Sequence, residues 1–204
     1  MAIIHDTTMS PGKLELLATW LPAQSWYLGG GHKPVLAKAG GFRLDDPVGE
    51  VGIEFMVVTD GSGDQVTAYQ VPTTYRAQPL AGADGALIGT SEHGVLGHRW
   101  IYDGTRDPVL MAQLAALLQG TAEPQAQSVS STPDPTVTVQ RAEAAGADGA
   151  PPGQLTVRVN RILRPGGEAG QPGISAPWRL PDGTQVRGIL ATAQYVTGPR
   201  SGDH

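Results

Sequence analysis

Cysteine is absent from the 204 residues. That excludes a disulfide framework, a thiolate metal site and a cysteine nucleophile. Phenylalanine occurs only 2 times. Positive charge is in the minority, with 14 Lys and Arg against 19 Asp and Glu and a formal net charge of −5. A general nucleic-acid binder needs a basic stripe to neutralise phosphates, so that class is set aside. No apolar run approaches the ~20 residues of a membrane-spanning helix. The opening MAIIHDTTMS lacks the basic start and apolar core of a signal peptide. Together these absences predict a soluble, cytoplasmic protein with no nucleic-acid or membrane partner.

Glycine (28) and proline (17) are plentiful, which favours many short strands and turns over a helical bundle. The length allows one large domain or two small ones, with a core that needs no staples. The strongest helix signal is Asp107–Leu118. Asp107 suits the N-cap, Pro108 the first helical position and Gly120 a left-handed stop. Leu110, Met111, Leu114, Leu117 and Leu118 fall on one stripe that must pack on something.

A shorter helix is predicted over Lys13–Leu21, capped by Ser10 and ended by Pro22. Gly49–Val58 reads as the strongest strand, alternating Val51, Ile53, Phe55 and Val57 with Gly52, Glu54, Met56 and Val58. The Asp60–Asp64 turn returns it as Val66–Val71, which Thr73–Arg76 would extend past Pro72, a hairpin on which the Asp107 helix would lie. Ala2–Ile4, Ala86–Gly89 and Val95–Tyr102 add short strands. Thr121–Pro135 is polar and Pro-containing, a linker or strap. Beyond it Thr136–Gln140, Leu155–Leu163, Ile174–Leu180 and Gln185–Ala193 alternate as strands. Loops fill Ala142–Gly153 and Pro165–Gly173, and Leu180–Thr184 is a hairpin turn.

Several chemistries can be weighed. Gly29-Gly30-Gly31 lacks the strand–loop–helix context and the following Lys-Ser or Lys-Thr of a phosphate cradle, so it reads as a turn. The acids of Asp60–Asp64 lack the regular ligand series and distal Glu of a calcium loop. His93 and His98 are separated by Gly94 and Gly97, which break the helix that a shared metal would need. Asp45, Asp46, Glu50 and Glu54 could supply a carboxylate pair for glycosyl transfer. Asp45-Asp46-Pro47 reads better as a turn, and Glu54 as the outer face of a strand. No Gly-x-Ser-x-Gly elbow occurs. Trp20, Trp26, Tyr27, Trp100 and Tyr102 hold most of the large aromatic surface. They either fill the seam between the first helix and the sheet or stack on a ligand.

Four stretches in order carry a family resemblance. They are Trp20-Leu21-Pro22-Ala23-Gln24-Ser25-Trp26-Tyr27-Leu28-Gly29; Thr59-Asp60-Gly61 leading to Tyr69-Gln70-Val71-Pro72; Ala86-Leu87-Ile88-Gly89; and Tyr102-Asp103-Gly104 with Asp107-Pro108 and the Leu-rich helix. Over roughly residues 12–120 the chain resembles the N-terminal cap of bacterial maltokinases, the ATP-dependent kinases of the trehalose-to-glycogen route. Ser25 stands where that family's motif has Arg. The resemblance implies a cystatin-like curved antiparallel sheet packed on a helix. The family's kinase body carries a His-Gly-Asp-type loop and an Asp-Phe-Glu-type metal motif, and neither occurs in these residues. His93-Gly94 is followed by Val95. Gln127-Ser128 and Leu155–Pro165 resemble the start of the family's nucleotide lobe, with Arg158 near the place of the phosphate-binding Lys, a change that a forked guanidinium does not make good.

The expectation is therefore an α+β fold: a curved antiparallel sheet packed on one main helix, followed by a smaller mostly-β region. The cap would span 1–120, a linker 121–135 and a small β-rich domain 136–204, a remnant of a kinase N-lobe by the resemblance. The resemblance implies a non-catalytic binding or regulatory module of trehalose, maltose or glycogen metabolism, with no cofactor and no metal. Candidate ligand- or partner-binding residues are Trp20, Gln24, Trp26, Tyr27, Trp100 and Tyr102. The partner would be an oligosaccharide, a glucan-metabolising enzyme or a second copy of the chain. A glucan-active enzyme using acidic residues, and an assembly subunit, remain as alternatives.

Overall fold

The computed structural model describes residues 8–129, 131–141, 154–167 and 170–196. The expected strand at Ala2–Ile4 and the loop Ala142–Gly153 lie outside them. The elements are β1 (Met9–Ser10), α1 (Lys13–Trp20), β2 (Leu36–Leu44), β3 (Gly52–Asp60), β4 (Thr67–Arg76), β5 (Leu87–His93), β6 (Gly97–Asp103) and α2 (Pro108–Gln119). There follow β7 (Thr138–Gln140), β8 (Gln154–Val159), β9 (Ile162–Leu163), β10 (Gly173–Arg179) and β11 (Gln185–Val196). The fold is mostly antiparallel sheet with two short helices. No helix among the described residues is long and apolar enough to cross a membrane.

The strands form one sheet in the order β1-β5-β6-β4-β3-β2-β10-β11-β8, with β7 on β10 and β9 on β4. β8 runs through Asn160 and Arg161 into β9, so the path from β4 through β3, β2, β10, β11 and β8 returns to β4. Pairings thus cross the expected 121–135 linker in two places. That stretch itself lies along β2, where Gln125 is buried and exchanges backbone bonds of 2.9 and 2.8 Å with Arg43.

β3 explains why two helices are needed where one main helix was expected. Both of its faces are buried. Ile53, Phe55 and Val57 share a core with Phe42, Leu44, Trp178, Leu190 and the α2 leucines. Met56 and Val58 point the other way, into a second core with Tyr69, Val71, Ile101 and Leu17 and Leu21 of the α1 region. Alternation sends successive side chains to opposite faces, so each face requires its own cover. Leu110, Leu114, Leu117 and Leu118 are all buried, as their stripe predicts. Gly120 ends α2 in the left-handed conformation, φ 78°.

Two details differ from the sequence reading, and a third, the extension of β4 past Pro72, agrees with it. Ser10 does not cap α1; it pairs in β1, and Glu15 instead receives the Gly12 N–H at 2.7 Å. β4 runs on through Pro72 to Arg76. Alternate N–H groups point to the same edge, and the one at Gln70 goes to Arg161. The missing donor of Pro72 therefore falls where the partner on that edge changes from β9 to β6. Finally β2 is a full strand, concealed by Gly40-Gly41. A Cβ on Gly40 would lie 2.9 Å from the Pro177 carbonyl oxygen, and one on Gly41 2.1 Å from that of Phe55.

Leu114 is fully buried between α2 and the sheet. Leu114→Ala is expected to cost about 2–5 kcal/mol in urea unfolding, as a core truncation does. A loss below about 0.5 kcal/mol would place this face of α2 in solvent.

Candidate binding site

The Trp20–Gly29 motif folds over the turn end of the β3–β4 hairpin. Asp60, the last residue of β3, organises it. One carboxylate oxygen accepts the Tyr27 hydroxyl at 2.6 Å; the other accepts the N–H groups of Val35 and Ser62, each at 2.9 Å. Burial would raise the Asp60 carboxyl, but the Tyr27 hydroxyl and these N–H groups outweigh it, and the net direction is down. Tyr27 responds in the opposite sense. Burial, then its bond to the Asp60 carboxylate, push its phenol up to about 12.

The rings around this anchor form a chain. Trp20 meets Trp26 edge-on with centroids 5.9 Å apart, Trp26 lies 6.0 Å from Tyr69, and Tyr27 lies 5.4 Å from Tyr69. The Tyr69 hydroxyl accepts the Leu28 N–H at 3.0 Å. Gln24 donates its amide to the Trp20 carbonyl at 3.2 Å, which stops the helical turn. Trp20, Gln24, Trp26 and Tyr27 are all half-buried, and Leu28 and Val35 beside them are 59 % and 64 % exposed.

Arg161 closes one side. Its guanidinium lies over the Trp26 ring, 5.1 Å from the centroid, a cation–π arrangement. It also grips both oxygens of Asp103, one at 2.6 Å, and the Thr105 hydroxyl at 2.7 Å. No sequence pattern singled out Arg161, because its partners lie 56 and 58 positions away.

Trp100 and Tyr102 are not part of this group. They pack in a separate cluster with Leu80, Ala83 and Ala86, and the Tyr102 hydroxyl accepts the Leu80 N–H at 2.9 Å. His98 packs edge-on against Trp100 and bonds Glu92 at 2.5 Å. Among the described residues no group of His, Asp and Glu could hold a metal ion.

Three of the four acids weighed for glycosyl transfer have other work, and the fourth, Glu50, is exposed. Asp46 is buried and accepts the N–H groups of Val48, Glu50 and Val51, fixing a turn. Asp45 lies 3.7 Å from Arg43. Glu54 is not on an outer face, as its place in the alternation suggested. It is 4 % exposed beneath α1, receiving Lys13 at 2.5 Å, the Tyr75 hydroxyl at 2.7 Å and the Gln127 amide at 3.0 Å. Burial would raise its carboxyl; Lys13, then Tyr75, overcome this and hold it below the usual range.

In this arrangement half-buried rings and apolar side chains form a face, and the acids hold the frame. Residues 20–107 match the family described as the maltokinase N-terminal cap domain, which supports the resemblance read from the four sequence stretches. The match runs from Trp20 through Asp107, so it takes in the aromatic motif and the acid that begins α2. No curated protein matches the chain.

Two tests follow. Tyr27 has a folded value near 12 against an ordinary 10.0. The folded state therefore holds this proton more tightly, and stability is lost as pH rises through that window. Tyr27→Phe is expected to lessen the alkaline loss seen in pH-dependent unfolding, and to cost about 1 kcal/mol at neutral pH for the missing hydrogen bond. An unchanged alkaline slope would mean that the Asp60 bond does not form. Lys13→Met is expected to cost about 1–2 kcal/mol at pH 7, below the 3–5 of a fully buried pair, because Lys13 is 39 % exposed and partly screened. Wild-type Glu54, with its lowered folded value, contributes stability above its unfolded value that is lost in acid. In the variant burial is no longer offset by Lys13, the folded value rises, and the deficit against wild type should shrink as pH falls. A deficit independent of pH would show that the Lys13 contact is packing alone.

Proposed function

We propose that this chain is a non-catalytic binding or regulatory module associated with maltose, trehalose or related α-glucan metabolism. The match of residues 20–107 to the maltokinase N-terminal cap domain carries this reading. The side-chain geometry supports it. Glu54, Asp60, Asp103 and Asp107, the buried acids nearest the cap motif, are each spent on Lys, Arg, Tyr or backbone donors. Phosphoryl transfer requires acids that hold metal on the phosphates together with a base or orienting group. These four acids are committed to the frame. In this reading Trp20, Gln24, Trp26 and Tyr27 form the ligand or partner face, with Leu28 and Val35 at its border. Trp100 and Tyr102 brace the β5–β6 side.

The test is calorimetric titration with maltose, maltooligosaccharides, trehalose and ATP, beside an assay of ADP release with ATP, Mg²⁺ and each sugar. Saccharide binding that weakens about three- to tenfold in Trp26→Ala, the range of one aromatic contact, is the expected outcome. No sugar-dependent ADP release is expected. Turnover that survives repurification and is lost on changing one acid of this chain would overturn the non-catalytic reading. Saccharide binding untouched by Trp26→Ala would move the face elsewhere.

A further inference from the structure

The region after residue 136 holds a cleft of about 370 Å³ between β7, β10, β11 and the loop after β9. That volume lies at the low end of small-molecule sites, about 300–1,000 Å³. Thr138, Gln140, Gln171, Ser175 and Arg187 give it polar walls, and no acidic side chain is among its described lining.

Arg187 is the charged member of the described lining. Arg43, Arg76 and Arg161 each face a carboxylate. Among the described residues Arg187 is held by neutral oxygens: the Thr136 carbonyl at 2.6 Å, the Ser175 carbonyl and hydroxyl at 3.2 Å, and the Thr138 hydroxyl at 3.3 Å. These contacts fix the guanidinium without compensating its charge. Main chain forms the opposite wall. The Gly166 N–H is bonded to the Arg187 carbonyl at 2.8 Å. Gly167 and Gly188 allow that loop to lie against β11: a Cβ on Gly167 would sit 2.5 Å from Ile189, and one on Gly188 2.3 Å from the Arg164 carbonyl oxygen. Open space lies in front of Gly166. A planar guanidinium presents paired N–H donors that match the oxygens of phosphate or carboxylate. The surrounding hydroxyls and amides suit a ligand that carries hydroxyl groups as well.

We propose that this cleft binds a small hydroxylated oxyanion, its phosphate or carboxylate oxygens taken by Arg187 and its hydroxyls by Thr138, Ser175, Gln140 and Gln171. The site is separate from the aromatic face and does not depend on the glucan reading. That reading is tested with neutral saccharides, and this one with anions.

The experiment is amide-resolved NMR titration of the whole chain with inorganic phosphate, glucose 1-phosphate, glucuronate and glucose. Glucose 1-phosphate, glucuronate or both should shift the Gly166, Gly167 and Gly188 amides, and glucose should not. A response to one anion alone identifies phosphate or carboxylate as the group recognised. Added salt should weaken the binding by screening. Arg187→Gln should reduce affinity at least about tenfold, the loss of a charge-assisted pair, and Arg187→Lys should retain part of it. Four results would each overturn the proposal: no shifts at millimolar anion, shifts confined to other amides, equal binding of glucose, or full affinity in a folded Arg187→Gln. If that variant does not fold, the wild-type shift map and the glucose comparison decide the matter alone.

Discussion

Asp107 fixes α2 to the sheet, and the packing around it depends on that. It is wholly buried, caps α2 by accepting the Val109 N–H at 3.0 Å, and receives the fork of Arg76 from the end of β4 in two bonds of 2.7 Å. Burial would raise its carboxyl; Arg76, Thr74 and the Val109 N–H hold it low instead. A charge in that position costs desolvation, which only good geometry recovers, so such a pair specifies position more than it adds stability. Here the position is that of the α2 N-terminus against the end of β4. With it set, Leu110 reaches Gly104, where a Cβ would stand 2.2 Å away, and the remaining leucines fall over Phe42, Phe55 and Val57.

β4 is the element on which the two halves of the chain meet. One edge is taken by β3 along its whole length. The other is shared, by β6 over Thr73–Arg76 and by β9 over Ala68–Tyr69, with Pro72 at the change. Arg161 marks that junction on both levels. Its carbonyl takes the Gln70 N–H at 2.8 Å, and its side chain joins Asp103 to the Trp26 ring. The later strands are thus tied to the aromatic motif by backbone, charge and stacking together. A ligand or partner that moves Trp26 would act on Arg161, and through it on the junction of β6 and β9.

The chain also separates its polar chemistry by location. In residues 13–120, buried acids meet Lys13, Arg76, Arg161 or the Tyr27 phenol, and the structure uses them to place loops and helices. In the later strands Arg187 stands in an open cleft, and its partners among the described residues are neutral. A compensated charge holds structure, whereas an uncompensated and accessible one is available to a ligand.

The sequence by itself determined whatever depends on neighbours a few residues apart. The Asp107-Pro108 start, the leucine stripe, the Gly120 stop, the Asp60–Asp64 turn and the Leu180–Thr184 hairpin are all of this kind, since caps, helix periodicity and turns are local. The Trp20–Gly29 motif was legible too, together with its family. Only the tertiary structure decided the rest. Gly40-Gly41 carries no strand signal, yet it lies in β2, where β10 approaches the bare backbone of Gly40. Glu54 occupies a polar place in the alternation, yet it is buried, because α1 brings Lys13 over it from 41 positions away. Trp100 and Tyr102 were grouped with Trp26 by residue type, and chain path put them in another cluster. Arg76, Arg161 and Arg187 carry no local signal. A guanidinium acquires its role from what the fold sets opposite it, and that pairing is made across the sheet, beyond the reach of any sequence period.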